Sequence, residues 1–299
     1  MIGRVRARWQ RWSAAGRDFF AQLAPLCAYC DGVLTRSKWR RMRRRSRGVR
    51  LQGARYCHTD CLERALLEAL GRARPVPHRA AAAPHRIPLG LLLLSRQQLT
   101  AEQLRTALEA QRAAGRGANQ RKIGVWLQEM GFATEQQVTA ALARQWSCPV
   151  LHSGAETMNA GRFPLLFPAI PIPLLESFQM MPVGLVEATG TLMIAFSEGI
   201  DYTVLYAIEQ MLGYRTEACL ACPSMLQKSL QALARERGSS DVVFDRMEDA
   251  RECAHVIGSY SAKVKAEEIR LARCGDHFWI RLERLRQEAV TLVLRTSSQ

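Results

Sequence analysis

The strongest constraint on this chain is an internal repeat, in which residues 88–111 and 122–145 align without a gap at an offset of 34 positions. A repeat of this length is one supersecondary unit that cannot bury its apolar face alone. We therefore expect the two copies to pack on each other. The identities that keep one register pair Gly90 with Gly124, Leu93 with Leu127, Thr100 with Thr134, Gln103 with Gln137, Ala107 with Ala141, Leu108 with Leu142, and Gln111 with Gln145.

Each copy carries the signature of a helix start. Thr100 with Gln103, and Thr134 with Gln137, have the spacing of a capping box, in which a hydroxyl and an amide satisfy the first free N–H groups of a helix. After each box, apolar residues recur at helical spacing, and a shorter apolar segment precedes it. The pattern predicts that each copy is a pair of helices. The residues that share the face of the second helix are Leu104, Ala107, Leu108 and Gln111 in copy one, and Val138, Ala141, Leu142 and Gln145 in copy two.

This pattern resembles the tandem nucleotide-binding motif of MshE-type domains, found at the N-terminus of type II secretion and type IV pilus assembly ATPases. The family motif reads Arg-Leu-Gly, two spacers, two aliphatics, a later Gly, then Leu, Ala-Leu and a closing Gln, and some members bind cyclic di-GMP with both copies. The resemblance covers residues 87–150 well and 151–237 loosely. It implies a ligand site with one half lined by Lys122, Gly124, Leu127, Gly131, Leu142 and Gln145, and the other half by Gly90, Leu93, Leu108 and Gln111.

Such a site is chemically sensible, because glycines let the backbone approach phosphate and helix N-termini favour anions. The chain nevertheless departs from the motif. Pro88 replaces the arginine and Gln97 the later glycine of copy one, while Lys122 replaces the arginine of copy two. Arg86 or Arg121 is a candidate for the missing cation. Two interpretations stay open at this point: retained cyclic di-GMP binding, or a degenerate repeat kept as an interaction scaffold.

Four cysteines predict a metal site. Cys27 and Cys30 form one pair, and Cys57 and Cys61 form a second. Four thiolates in two such pairs can surround a tetrahedral zinc ion, and a short module with little apolar sequence needs a metal for its fold. The second pair resembles the second knuckle of treble-clef-like zinc modules, where the last cysteine opens a helix. His58 in place of Cys57, and four buried or free thiols without zinc, are the alternatives.

The charge is unevenly placed. The net charge is +15, and residues 1–86 hold 20 Lys and Arg against 5 Asp and Glu, whereas the remainder holds 22 of each. A basic segment of this kind favours an anionic partner: nucleic acid, acidic lipid or an acidic protein surface. A solvated basic arm without a dedicated partner is the alternative. The arginines that we expect to bind polyanions are Arg40, Arg41, Arg43, Arg44, Arg45 and Arg47.

The chain divides into six predicted segments. The fold class is α+β, with a tandem short-helix repeat packed next to a small α/β subdomain and preceded by a four-cysteine zinc module and a basic helix. Cys219 and Cys222 at the end of a predicted strand are interpreted as buried thiols rather than a redox or zinc pair. The segments are a basic amphipathic helix (1–25), the zinc module with its Arg-rich insert (26–70), a linker (71–86), the repeat (87–150), the α+β subdomain (151–237), and a C-terminal helix and β-hairpin (238–299). Within the last two segments, we expect strands at 191–196 and 215–220 and a helix around 245–268.

Catalytic motifs are missing from the sequence. No Gly is followed by Lys, so a Walker A loop is excluded, and we find no Gly-x-Ser-x-Gly or His-Glu-x-x-His. We therefore expect a non-catalytic adaptor or regulatory protein that works with a protein partner in secretion, pilus or signalling machinery. The alternative is a zinc-dependent nucleic-acid-binding regulator. Without a signal peptide or a long apolar stretch, we expect the cytoplasm, with contact to the inner membrane left open.

Overall fold

The structure is a computed structural model that describes residues 27–29, 48–73, 86–114, 121–151, 169–237 and 241–296. The predicted N-terminal helix, the arginines at 40–47, Cys30 and most of the predicted linker lie outside the described residues. The described part combines helices with two β-sheets, which confirms the α+β fold class. Within this part, no helix is both long and apolar enough to cross a membrane.

The bounds of the elements are as follows. The helices are α1 (Thr59–Arg72), α2 (Leu89–Ser95), α3 (Ala101–Ala113), α4 (Ile123–Glu129), α5 (Glu135–Trp146), α6 (Ile172–Ser177), α7 (Tyr202–Leu212), α8 (Pro223–Arg237) and α9 (Ala250–Val264). The strands are β1 (Val49–Leu51), β2 (Ala54–Tyr56), β3 (Met180–Val186), β4 (Thr191–Phe196), β5 (Arg215–Leu220), β6 (Val242–Met247), β7 (Glu268–Cys274), β8 (His277–Arg284) and β9 (Gln287–Thr296).

The chain separates into two compact units. One unit contains Met1–Arg74, Val243–Ala272 and Asp276–Gln299, and we call it the terminal unit. The other contains Pro75–Val242 and Arg273–Gly275, and we call it the repeat unit. The repeat and the three-stranded sheet therefore belong to the same unit.

The two predicted capping boxes are present. The Gln103 backbone N–H donates to Thr100 Oγ1 at 3.2 Å, and Gln103 Oε1 accepts from the Thr100 N–H at 2.9 Å. Thr134 and Gln137 make the same pair of bonds at 3.2 and 2.8 Å. Both copies are helix pairs, with α2 and α3 in the first and α4 and α5 in the second. The predicted repeat of a helix pair is confirmed.

The two copies interlock rather than stack side by side. Helix α2 of copy one packs against α5 of copy two, and α3 of copy one packs against α4 of copy two. Leu93 and Leu127, which occupy equivalent positions, are both 0% exposed in the shared core. Removing a helix pair would therefore expose the apolar face of its twin, since each copy supplies the cover for the other.

A three-stranded sheet completes the core of the repeat unit, in the order β3-β4-β5. Strands β3 and β4 are antiparallel, and β4 and β5 are parallel. The segment that leaves α5 joins the outer edge of β5: the Leu151 N–H donates to the Leu220 carbonyl at 2.7 Å, and the Leu220 N–H donates to the Pro149 carbonyl at 2.9 Å. These bonds tie the end of the repeat directly to the sheet.

The terminal unit is built around a six-stranded sheet in the order β2-β1-β7-β8-β9-β6. Strand β1, which follows the first cysteine pair, runs parallel to β7, and β8 and β9 form the predicted antiparallel hairpin. Helix α1 packs against α9. No sequence pattern predicted the pairing of β1 with the C-terminal strands.

The last helix begins later than its sequence pattern suggests. We expected a helix from about Asp245, but Val242–Met247 form β6 and α9 starts at Ala250. The β-branched and aromatic residues before Asp245 favour a strand. Asp249 then caps the helix, because its Oδ1 accepts from the Glu252 N–H at 2.7 Å.

The shared core of the repeat generates a stability prediction. Leu93→Ala should lower the free energy of unfolding by about 2–5 kcal/mol, because it leaves a cavity where the side chain is fully buried. Leu91→Ala is the matched control on the same helix, since Leu91 is 51% exposed and should change stability by less than about 0.5 kcal/mol. The measurement is urea unfolding followed by circular dichroism. Equal losses in the two variants would contradict the described core.

Candidate functional site

The closing glutamines of the repeat make a reciprocal pair of hydrogen bonds. Gln111 Nε2 donates to the Arg121 carbonyl at 2.7 Å, and Gln145 Nε2 donates to the Ile87 carbonyl at 2.7 Å. Arg121 and Ile87 are themselves equivalent positions, just before the first helix of each copy. The closing glutamine of each copy therefore bonds the backbone just before the first helix of the other copy. The repeat has pseudo-two-fold symmetry.

Two of the motif glycines serve helix packing. A Cβ on Gly90 would lie 2.6 Å from Leu104 Cδ1, and a Cβ on Gly124 would lie 3.0 Å from Val138 Cγ1 and 3.3 Å from Leu89 Cδ2. Both glycines are buried in the first helix of their copy. The close approach of the helices accounts for glycine at these positions, and a ligand contact by either glycine stays a prediction.

Gly131 has a different role. Its φ is +69°, and a Cβ there would meet no heavy atom within 4 Å apart from its own chain neighbours. The equivalent Gln97 adopts φ +57° without being glycine. Both residues turn the chain after the first helix of their copy, so copy one keeps the backbone conformation of the motif while losing the open space that glycine leaves.

The apolar motif residues lie in or beside the core of the repeat. Leu93 and Leu127 are fully buried, and Leu142 is partly buried against the same core. Leu108 is half-buried. The structure thus brings the predicted ligand residues into one helical unit, where several of them pack the unit together.

A cleft of about 370 Å³ lies beside the start of the repeat, and we call it the cationic cleft. The Arg86 guanidinium carbon is 3.3 Å from the centroid of the Trp146 ring, and Lys122 Nζ is 2.7 Å from Glu198 Oε2. The cleft is lined by Arg86, Lys122, Trp146, Ser177, Phe178, Gln179, Glu198, Gly199, Ile200 and Asp201. Arg86 and Lys122, which lie just before the first helix of copy one and of copy two, therefore line the same cleft.

The two carboxylates that line the cationic cleft have different hydrogen-bond and ion-pair partners. Asp201 Oδ1 accepts from the Thr203 N–H at 2.8 Å and from Thr203 Oγ1 at 2.6 Å, so this group caps α7. Glu198 is exposed and pairs with Lys122. An anionic ligand could take the place of Glu198 at Lys122, because an exposed ion pair contributes little to stability.

Sequence reasoning missed Trp146 as a site residue. Its ring centroid is 6.2 Å from that of Tyr202, and Gly199 packs so closely that an added Cβ would lie 2.9 Å from the Trp146 ring. Trp146 directly follows the closing Gln145, but it lies outside the repeated pattern. The only sequence signal that pointed to Trp146 was its position directly after the motif.

A cluster of three thiols lies in the terminal unit. The sulfur atoms of Cys27, Cys57 and Cys61 are all within 4.8 Å of one another, and Cys57 Sγ is 3.0 Å from His58 Nδ1. The Ala28 N–H donates to the Arg55 carbonyl at 2.9 Å, which ties the first cysteine to β2. Soft sulfur ligands that converge in this way could hold a metal ion.

Burial raises the pKa values of the remaining buried thiols, which makes them poor nucleophiles. Burial raises the pKa of Cys219 to about 12, with a smaller contribution from Cys148, and raises the pKa of Cys274 to about 12. Burial also raises the pKa of Cys253 to about 11. These groups stay protonated at neutral pH, whereas the thiolate is the nucleophile.

Among known proteins, solved structures are similar to part of this chain. No protein-family model and no curated protein matches the chain. A structure of MshE with cdg is 27% identical, covers 49% of this chain and 99% of that chain, and has a TM-score of 0.39.

Two crystal forms of the N-terminal domain of XpsE also match. One is 16% identical, with a TM-score of 0.34, over 48% of this chain and 91% of that chain. The second is 18% identical, with a TM-score of 0.31, over 53% of this chain and 96% of that chain. About half of this chain is thus similar to solved domains of the kind that the repeat resembles, but TM-scores this low assign no role to any residue.

Proposed function

We propose that this protein is a non-catalytic adaptor of the cytoplasm whose repeat binds a cyclic dinucleotide, cyclic di-GMP first among them. The observation that supports this proposal most is the reciprocal pairing of Gln111 with Arg121 and of Gln145 with Ile87. A cyclic dinucleotide is made of two identical halves. Two half-sites related by a pseudo-two-fold axis suit such a ligand, because equivalent residues of the two copies can contact equivalent halves of the ligand.

The second copy makes the larger contribution in this proposal. It supplies Lys122, which lines the cationic cleft, and Gly131, which leaves space at an exposed turn. The first copy has Pro88 and Gln97 at the equivalent positions. Arg86 lines the same cleft as Lys122 and offers a replacement for the missing cation of copy one. Charge-assisted bonds to phosphate are the strongest polar contacts such a ligand can make.

The adaptor part of the proposal rests on the sequence resemblance and on the chain's own content. A sequence without any Gly-Lys pair cannot form the phosphate-binding loop of a motor ATPase. We propose that ligand binding at the repeat changes the affinity of this chain for a protein of secretion, pilus or signalling machinery. Polyanion binding by the arginines at 40–47 stays a separate prediction, because these residues lie outside the described part of the chain.

We also propose that the thiol cluster binds zinc as a structural ion. Cys27, Cys57 and Cys61 already converge, and the sequence spacing supplies Cys30 as the fourth ligand. A closed site of four thiolates has no open position for chemistry. The ion would fix the hairpin of β1 and β2 to the start of α1, where Cys61 lies in the first helical turn.

Calorimetry with cyclic di-GMP on the full chain tests the nucleotide proposal. We expect binding, and Lys122→Ala should weaken it by at least about tenfold, because a phosphate loses its charged partner. Gly131→Asp should also weaken it, since a carboxylate would face the phosphates. Lys228→Ala, on the exposed face of α8, is the matched control and should bind as the unmodified chain does. If no heat is seen at about 50 µM ligand, the interaction-scaffold interpretation stands instead.

Elemental analysis of the purified full chain tests the zinc proposal. We expect about one zinc ion per chain, and Cys57→Ser should lose it because a tetrahedral site cannot close with one thiolate missing. Cys222→Ser is the control, since Cys222 is half-buried and lies in another part of the fold. Zinc contents that are equal in the unmodified chain and in Cys57→Ser would overturn the proposal.

A further inference from the structure

A second cleft of about 460 Å³ shares Trp146 and Ile200 with the cationic cleft, and we call it the acidic cleft. Its walls come from the segment after α5, from one face of α7 and from the outer edge of β5. Apart from Trp146 and Ile200, its lining residues are not part of the cationic cleft. Its lining residues beyond Trp146 and Ile200 include Cys148, Tyr202, Tyr206, Glu209, Thr216 and Glu217.

The acidic cleft has the opposite charge to the chain as a whole. Among the described residues that line it, Glu209 and Glu217 are acidic and none is Lys or Arg. Glu209 Oε1 accepts from the Thr216 N–H at 2.7 Å and from Thr216 Oγ1 at 3.0 Å, which fixes its carboxylate at the wall. Glu217 is exposed. The described lining of this cleft therefore carries two carboxylates on a chain of net charge +15.

Exposed aromatic rings border these carboxylates. Tyr202 and Tyr206 are 47% and 64% exposed, and they lie four residues apart on one face of α7. Trp146 lies next to Tyr202 and already carries the Arg86 guanidinium over its ring. Exposed tyrosines at the rim of a cleft are typical of protein interfaces. Aromatic faces together with carboxylates attract a planar cation.

The edge of β5 is not open for the addition of a partner strand. The Thr216 N–H is taken by Glu209, and the Leu220 N–H and carbonyl are taken by Pro149 and Leu151. Strand addition needs a continuous row of unpaired backbone groups. Recognition at the acidic cleft must therefore use side chains of the partner.

We propose that the acidic cleft docks an arginine-bearing segment of a partner protein. The guanidinium stacks on Tyr202 and Tyr206 and pairs with the Glu217 carboxylate. Arginine fits better than lysine, because a planar guanidinium can stack on a ring and bond a carboxylate at the same time, whereas an ammonium is a compact and strongly hydrated charge. The proposal does not depend on nucleotide binding at the repeat.

Calorimetry on the full chain with two short peptides tests the docking proposal. One peptide alternates glycine with arginine, and its control carries citrulline, a neutral isostere, in place of each arginine. The chain as a whole repels a basic peptide, so saturable binding reports a local acidic site. We expect the arginine peptide to bind at least about tenfold more tightly than the citrulline peptide.

Variants locate the binding on the acidic cleft. Tyr206→Ala and Glu217→Gln should each weaken binding of the arginine peptide by about fivefold or more, and Tyr206→Phe should retain most of the affinity. Gln210→Ala is the control, because Gln210 is exposed on the same helix and does not line the cleft. Circular dichroism checks that each variant is folded. The proposal is overturned by absent saturation, by equal binding of the citrulline peptide, or by unchanged binding in both Tyr206→Ala and Glu217→Gln.

Discussion

The packing of each copy of the repeat against the other copy is the constraint on which the repeat unit depends. Because α2 lies on α5 and α3 lies on α4, neither helix pair has a buried core without its twin. This exchange places Ile87 beside Gln145 and Arg121 beside Gln111. It also fixes the position of the C-terminal end of α5. Trp146 at this end lines both clefts, and the segment that follows pairs with β5. The proposed ligand site and the proposed docking site both follow from this one arrangement.

Local patterns were sufficient for much of this fold. The capping boxes at Thr100 and Thr134 rely on residues three positions apart, and β4 and β5 have the bounds that were predicted for them from the sequence. The pairing of β1 with β7 could not be predicted from local sequence patterns. Gln52 Nε2 donates to the Leu271 carbonyl at 3.1 Å across 219 positions, and no short-range pattern specifies such a partner. The six-stranded sheet is therefore the part of the fold that was not predicted from the sequence.

The site shows a second reason for the limits of sequence reasoning. Glycine is needed both where two helices approach closely, as at Gly90 and Gly124, and where a turn must stay open, as at Gly131. The sequence presents the same residue in both cases, so a motif alone cannot separate packing from ligand contact. Lys122 was identified as a candidate cation because it takes the place of the motif arginine in copy two, and Arg86 because it lies before copy one. Trp146 and Glu198 were not, because their closeness to those cations arises from the tertiary fold.

The most direct test of the interlocked repeat is a nuclear Overhauser measurement on the methyl-labelled full chain. The account predicts a strong cross-peak between the Gly124 Hα protons and the Leu89 methyl groups, since a Cβ at Gly124 would lie 3.3 Å from Leu89 Cδ2 and these residues belong to different copies. A spectrum in which Gly124 contacts methyl groups of its own copy alone would contradict the reciprocal packing.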